Sequence, residues 1–262
     1  MLTPWLLAEC QPMTTGSTMS RELTKAKPRP SKPCMVCQFV KSDISRAVHR
    51  VKRSITRTAI PYVSPAHYTV PNSQACQQAL ALVKQFSPEF LVNHSLRSYA
   101  FGLAMSHKVK QSIDKEVFFV GAILHDIGLT DYVAQQDTFE VEGAIAAHSF
   151  AIEQGLSAEQ ADLIHEMVVL HNSVGVAHQC DPEIALLHFG AGADVAGLWI
   201  EDIHKKTLHE VLDTYHDQGC QAGMIELIQD QVTRKPHSYM STMVELGFLK
   251  KVAKHQFAHK PA

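Results

Sequence analysis

Gly121-Ala-Ile-Leu-His-Asp-Ile-Gly-Leu-Thr130 ends an apolar run on an adjacent imidazole and carboxylate, and Gly128 stops it. A helix that gives out at a glycine leaves the side chains of its last turn free to face a common point. Imidazole and carboxylate together suit a divalent transition ion, and two neighbouring ligands need partners from elsewhere in the chain to complete a shell. The pair alone is weak, because a helix-terminal His often only caps carbonyls, so everything depends on what else the chain brings to it.

Outward from this stretch, helix signals follow one another in both directions. The run Asp114 to Ile127 reads as one helix, and Thr138 to Gln154 as the next, with Glu140 and Glu142 in its first turn and Gly155 after its end. Ser157-Ala-Glu-Gln160 is a capping box for a helix ending at His171. Asp181-Pro182 opens a helix leading to Asp194, and Thr207-Leu-His-Glu210 has the form of a second capping box. Upstream, Ala75, Ala79, Leu82, Val83 and Phe86 mark an apolar stripe. Ser87-Pro88 then reads as an N-cap and first-turn proline for a helix carrying His94, Arg97 and Phe101. Caps that agree with periodicity at so many places predict an all-α bundle over residues 73–262.

Residues 1–72 differ. The first 37 are rich in Ser, Thr, Pro and Lys without a hydrophobic period, which predicts disorder, with Cys34 and Cys37 as free thiols. From Gln38 to Arg57, Val40, Ile44, Val48, Val51 and Ile55 recur at helical steps with basic residues on the other faces. This basic amphipathic helix is expected to lay its stripe on the protein's own body; contact with an acidic membrane surface or another protein is the alternative. Pro61, Pro65 and Pro71 make the following stretch a linker.

Between Arg21 and Arg57 stand 11 Lys/Arg against Glu22 and Asp43, leaving 13 basic and 24 acidic residues elsewhere. A basic arm thus precedes an acidic body, and the overall charge argues against nucleic acid as a partner. Six scattered cysteines without framework spacing, no leader-like start and no run long enough to span a bilayer suggest a reducing cytoplasm. Oligomeric state has no sequence signal.

Four candidate ligands fall in order: His94, then His125 and Asp126, then Asp194, each on or at the end of a predicted helix. Helices from separate parts of a bundle can bring such residues to one ion. Carried by Asn93-His-Ser95, Leu124-His-Asp-Ile-Gly128 and Gly192-Ala-Asp194, the order resembles that of the HD-domain metal-dependent hydrolase superfamily, over about Ser87 to Gly197. The strings His94-Ser-Leu-Arg-Ser-Tyr99, His125 to Thr130, Phe139-Glu-Val-Glu-Gly-Ala144 and Leu170-His-Asn-Ser-Val-Gly175 look like the cyanamide hydratase branch, zinc enzymes that add water to a nitrile.

The resemblance implies one divalent ion on His94, His125, Asp126 and Asp194: zinc, with iron or manganese suiting the same N/O donors. It also implies a small-molecule substrate, and His171 and Thr130 for proton delivery and substrate orientation, with His171 as a possible extra ligand. Phosphohydrolase members often carry Lys where this chain has Leu129, so a phosphate would lose a partner and Arg97 would have to substitute. Phe139 stands where dinuclear members place a ligating His, which favours one metal. Nucleotide or phosphoester hydrolysis remains the alternative reaction, and a non-catalytic metal-binding module tethered by the basic arm the alternative of another class. His148, His165, His188, His204, His209 and His216 match no ligand position and are expected at the surface or in packing.

Overall fold

A computed structural model of the chain describes residues 31–257, so the first 30 residues of the expected arm of residues 1–72 lie outside it. Eleven α-helices and no strand occur among the described residues. In order they are α1 (Lys32–Thr56), α2 (Gln74–Phe86), α3 (Glu89–Ala104), α4 (Lys115–Leu124), α5 (Phe139–Glu153), α6 (Ala158–Leu170), α7 (Pro182–Ala196), α8 (Lys205–Thr214), α9 (Cys220–Arg234), α10 (Tyr239–Glu245) and α11 (Phe248–Lys254). Short 3-10 turns join several of them, among them Ile127–Leu129 directly after α4.

The centre of the bundle is α4, in which Val117 through Leu124 are all buried. A helix apolar on every side has to be surrounded, and α2, α3, α5, α6 and α7 all pack against it. The closest pairing is α3 with α7, and it depends on a glycine. A Cβ on Gly190 would lie 2.0 Å from the Ser98 carbonyl oxygen, so only hydrogen lets the two backbones meet. The same device seats the turn after α4 on α5, where a Cβ on Gly128 would be 1.9 Å from the Phe139 carbonyl. The first contact seats α3, which carries His94, on α7, and the second seats the turn that follows His125 and Asp126 on α5.

Two apolar clusters result. The larger one surrounds Tyr99, Phe101, Phe118 and Phe119. The smaller joins α9 and α10 to Leu91, Leu129 and Phe139 through Cys220, Met224, Ile228, Met240 and Met243. Pocket and candidate donors lie between them.

Several expected caps hold. Asp114 accepts from the Glu116 and Val117 amides, and both halves of the Ser157/Gln160 box are present. Two differ. Ser87 ends α2, its N–H donated to the Val83 carbonyl, and Pro88 takes the N-cap position of α3. Thr207 caps nothing: it is buried in α8 and exchanges hydrogen bonds with both backbone groups of Val63, while the His204 ring accepts from the Lys206 amide at the N-cap. The expected linker is therefore tied down, with Tyr68 buried in the main core.

The largest correction concerns α1. It starts at Lys32, six residues earlier than its periodicity suggested, and carries the exposed thiols of Cys34 and Cys37. Its apolar stripe does not lie on the body: Val40, Ile44, Val48, Val51 and Ile55 are 50, 59, 59, 56 and 77% exposed. The opposite face makes the attachment. Met35 is buried, Arg46 stacks over Trp199 at 5.6 Å and Arg53 pairs with Asp202. The same Asp202 also pairs with Lys108, so a charged anchor on the body outcompetes the stripe for the inward position. Among the described residues no helix is long and apolar enough to cross a membrane.

Candidate metal centre

His94 stands in the middle of α3, His125 is the C-cap of α4 and Asp126 follows it. Side-chain atoms of the three converge: His94 Nε2 lies 3.1 Å from His125 Nε2, and Asp126 Oδ2 lies 3.4 Å from the first and 3.3 Å from the second. All three residues are buried.

The hydrogen bonds behind the rings decide what these atoms present. His125 Nδ1 lies 2.7 Å from the Ala122 carbonyl, which can only accept, so the ring proton sits on Nδ1 and Nε2 offers a lone pair. His171 repeats this with the Val168 carbonyl, and its Nε2 lies 3.6 Å from Asp126 Oδ1. His188 Nδ1 donates to the His171 carbonyl at 2.7 Å. His94 Nδ1 donates to Asp194 Oδ2 at 2.7 Å. Four imidazoles thus turn lone pairs away from their anchors, and two of those lone pairs meet a carboxylate oxygen within about 3.4 Å.

Such a cluster of acceptors requires positive charge. Burial alone would lower the pKa of His94, but its contacts with Asp126 and Asp194 outweigh this and raise it well above the usual imidazole range. Burial would raise Asp126, yet its interactions with His125 and the bonds to His125 and His94 hold it well below the usual carboxylate range. A divalent ion satisfies the same demand. Ligands bound at ~2.0–2.1 Å around a tetrahedral ion stand about 3.3–3.4 Å apart, close to the three separations found. The His94, His125, Asp126 group is therefore compatible with a metal.

Asp194 sits on the other ring nitrogen of His94, where it forms with His94 and Cys220 a second group of possible donors. Arg97 Nε donates to its Oδ1 at 2.6 Å and Arg97 Nη2 to its Oδ2 at 2.8 Å, while His94 Nδ1 shares Oδ2. Cys220 Sγ is 3.9 Å from the same oxygen. Burial opposes the ionised carboxyl, but the Arg97 charge wins and brings its pKa down to about 2. Asp194 thus stands at the back of the His94 ring, as the carboxylate that fixes its tautomer and orientation. Arg97 is fully buried there and also donates to the Tyr215 and His216 carbonyls, so its guanidinium does not face the pocket. The Thr130 hydroxyl donates to the Ile127 carbonyl at 2.7 Å and accepts from the Tyr132 amide, closing the turn after the His-Asp pair. His171 does reach the pocket, its ring 4.9 Å from that of His125, and burial lowers its pKa to about 4.

The pocket in front of the donors is small, about 60 Å³ in the volume open to the centre of a water molecule. His94, His125, Asp126, His171 and His188 provide its polar wall, and Leu129, Phe139, Val174 and residues of α9 to α11 the apolar one. Among the described residues no Lys or Arg lines it. Asn172, also on the wall, donates to Glu140 Oε1 at 2.8 Å. Burial raises the Glu140 pKa and that bond opposes the rise.

Two parts of this site had been missed. His188, expected in packing, shares a face of α7 with Ala191, Gly192 and Val195, and its ring lies 5.1 Å from Trp199 in an edge-on contact. The spacing i, i+3, i+4, i+7 was available to find it. The apolar wall from Met224, Ile228, Met240 and Met243 comes from beyond Gly197, where the quoted motifs end; only the four-residue steps of Cys220, Met224 and Ile228 marked a buried helix face.

No protein-family model matches this chain. It is similar to the cyanamide hydratases DDI2 and DDI3 of Saccharomyces cerevisiae, 26% identical to each in a 226-residue alignment that covers 80% of this chain and 96% of each relative. The alignment supports a cyanamide hydratase-like relationship over that part of the chain.

Proposed function

We propose that this protein adds water to a small neutral nitrile of the cyanamide type, at a divalent cation held by His94, His125 and Asp126. The observation that carries this reading is the pocket: imidazole acceptors and one carboxylate on one side, apolar groups on the other, and no Lys or Arg among the described residues of the lining. A water molecule occupies about 10–15 Å³ in the same measure of volume, so the space suits a molecule of a few heavy atoms. A phosphate monoester would enter without a cationic side chain to pair with. The yeast relatives' name agrees with the small nitrile.

When bound, a divalent cation supplies Lewis acidity and lowers the pKa of water towards ~7; zinc, iron and manganese all suit the donor set. His125 and Asp126 hold donor atoms on the turn that Gly128 seats against α5, and the Asp194–Arg97 pair keeps the His94 Nε2 lone pair forward. His171 Nε2, with Nδ1 committed to the Val168 carbonyl, accepts the hydrogen bond of the attacking water and takes up its proton as the oxygen joins the nitrile carbon. Its low pKa favours giving that proton back to the nitrile nitrogen, so water adds across the triple bond with no net proton change to give isourea, which becomes urea as the remaining hydroxyl proton shifts to nitrogen. His188 Nε2, an acceptor because Nδ1–H is spent on the His171 carbonyl, suits an N–H of the substrate amino group. The Leu129, Phe139 and Met243 wall excludes bulk water around the reacting carbon.

The test is a side-by-side assay of the metal-loaded protein on cyanamide, simple nitriles and nucleotides. Urea from cyanamide, lost in Asp126→Ala, is expected. Phosphate release from nucleotides, also lost in Asp126→Ala and without urea from cyanamide, would overturn the reading.

A further inference from the structure

The outward stripe of α1 is the largest feature the site does not use. Val40, Ile44, Val48, Val51 and Ile55 follow one another at steps of 4, 4, 3 and 4 on a 25-residue helix, each at least half exposed. Exposing so much contiguous apolar surface marks an interaction face. Exposed cations border it: helical geometry puts Lys41 and Lys52 beside the stripe on one flank and Arg50 on the other, with Arg57 at the C-terminal end. Arg46 and Arg53 are already committed to Trp199 and Asp202. Asp43, the one acid of this helix, is paired with Arg46.

We propose that α1 docks the protein onto an anionic lipid surface, lying in the headgroup plane with its Val/Ile stripe inserted and its flanking cations on lipid phosphates. Charge selects this occupant. A second copy of α1 would bring the same unpaired cations face to face, whereas an anionic layer receives both flanks at once. Shape agrees, because the stripe is a ridge on one helix rather than a groove with walls: among the described residues, the open hollow beside it is lined only by α1 residues from Ala47 to Thr56. The chain also carries its excess acid outside residues 21–57, so its charge asymmetry turns α1 towards a negative surface. The surface offered is about 37 Å long, from 25 residues at ~1.5 Å each. Long basic side chains bury their stems along such a stripe and keep their charges among the headgroups. The attachment does not depend on the reaction proposed for the pocket.

The experiment is sedimentation of the full-length protein with vesicles of phosphatidylcholine alone or mixed with phosphatidylserine, at low and high salt. Binding to the mixed vesicles only, weakened by salt, is expected. Ile44→Glu with Val48→Glu and Ile55→Glu should abolish it at an unchanged melting temperature. Lys41→Gln with Lys52→Gln should weaken it by about 25-fold, at roughly fivefold for each cation. Failure to bind mixed vesicles overturns the proposal. So does binding that survives the triple Glu substitution, which would place the contact elsewhere in the chain. Self-association, or capture of an acidic helical peptide, that the same substitutions remove without any vesicle binding would also overturn it by assigning the stripe to a protein.

Discussion

The buried centre and α1 handle the same residue types in opposite ways. At the centre, polar groups face inward and each imidazole is fixed from behind by an oxygen acceptor. On α1, Arg46 and Arg53 also face the body, but the Val40 to Ile55 stripe faces out. In a dry interior a polar side chain is tolerated only with a complete set of partners, and the partners then dictate one geometry. At the surface no such demand exists, and one anchoring carboxylate, Asp202, decides which face of a helix turns inward. The centre should accordingly be intolerant of change and α1 permissive.

The sharpest way to break this contrast is at the donors. His125→Ala or Asp126→Ala should remove bound metal and reduce activity to background, as elemental analysis and urea formation would show; wild-type metal content in both variants would leave the donor assignment without support. Next comes the helix crossing. Gly190→Ala drives a methyl against the Ser98 carbonyl and should cost about 3 kcal/mol of stability or more, read from denaturant midpoints. A neutral effect would mean that the α3–α7 contact has more room than described.

Asp194→Asn distinguishes a group behind a ligand from a ligand. Removing the carboxylate that orients His94 should weaken metal affinity about 10–100-fold without abolishing it, measured by competition with a chelator. Loss as complete as in Asp126→Ala would instead place Asp194 on the ion.

Acid should expose the centre's other histidine. Burial lowers the His188 pKa from 6.5 to about 4, so the folded state binds fewer protons than the unfolded one between those values. Its contribution is fully present above pH 6.5 and is lost as pH falls towards 4, amounting to about 3 kcal/mol at most at ~1.4 kcal/mol per unit. His188→Phe should flatten that part of the stability–pH curve. The smallest effect belongs to α1: Val48→Ser should change stability by no more than about 0.5 kcal/mol and leave turnover unaltered. A loss of several kcal/mol would show the stripe to be covered by the protein itself.

Much of this was legible in the chain. The all-α class followed from caps and periodicity because those signals are local: Asp114 and the Ser157/Gln160 box work within one helical turn, and the structure keeps them. His94, His125 and Asp126 could be picked out by their order, and the structure does bring them together. Thr207 failed as a cap because its hydroxyl partner, Val63, is 144 residues away. His188 and the methionine wall were passed over for a similar reason, since a pocket is enclosed by faces of helices whose sequence gives no sign of what they oppose.

The sequence by itself therefore determined the helices, most of their ends and the residue types able to hold a cation, all consequences of hydrogen bonding and side-chain chemistry over a few neighbouring residues. Only the tertiary structure decided which side of each residue faces what. It turned Asp194 and Arg97 to the back of His94 and spent the Thr130 hydroxyl on closing a turn. It also pointed the stripe of α1 away from the body. A helical period specifies that one face is apolar and leaves open where that face points; that choice is made by competition among long-range partners, and on α1 the ion pair with Asp202 and the stacking on Trp199 prevailed.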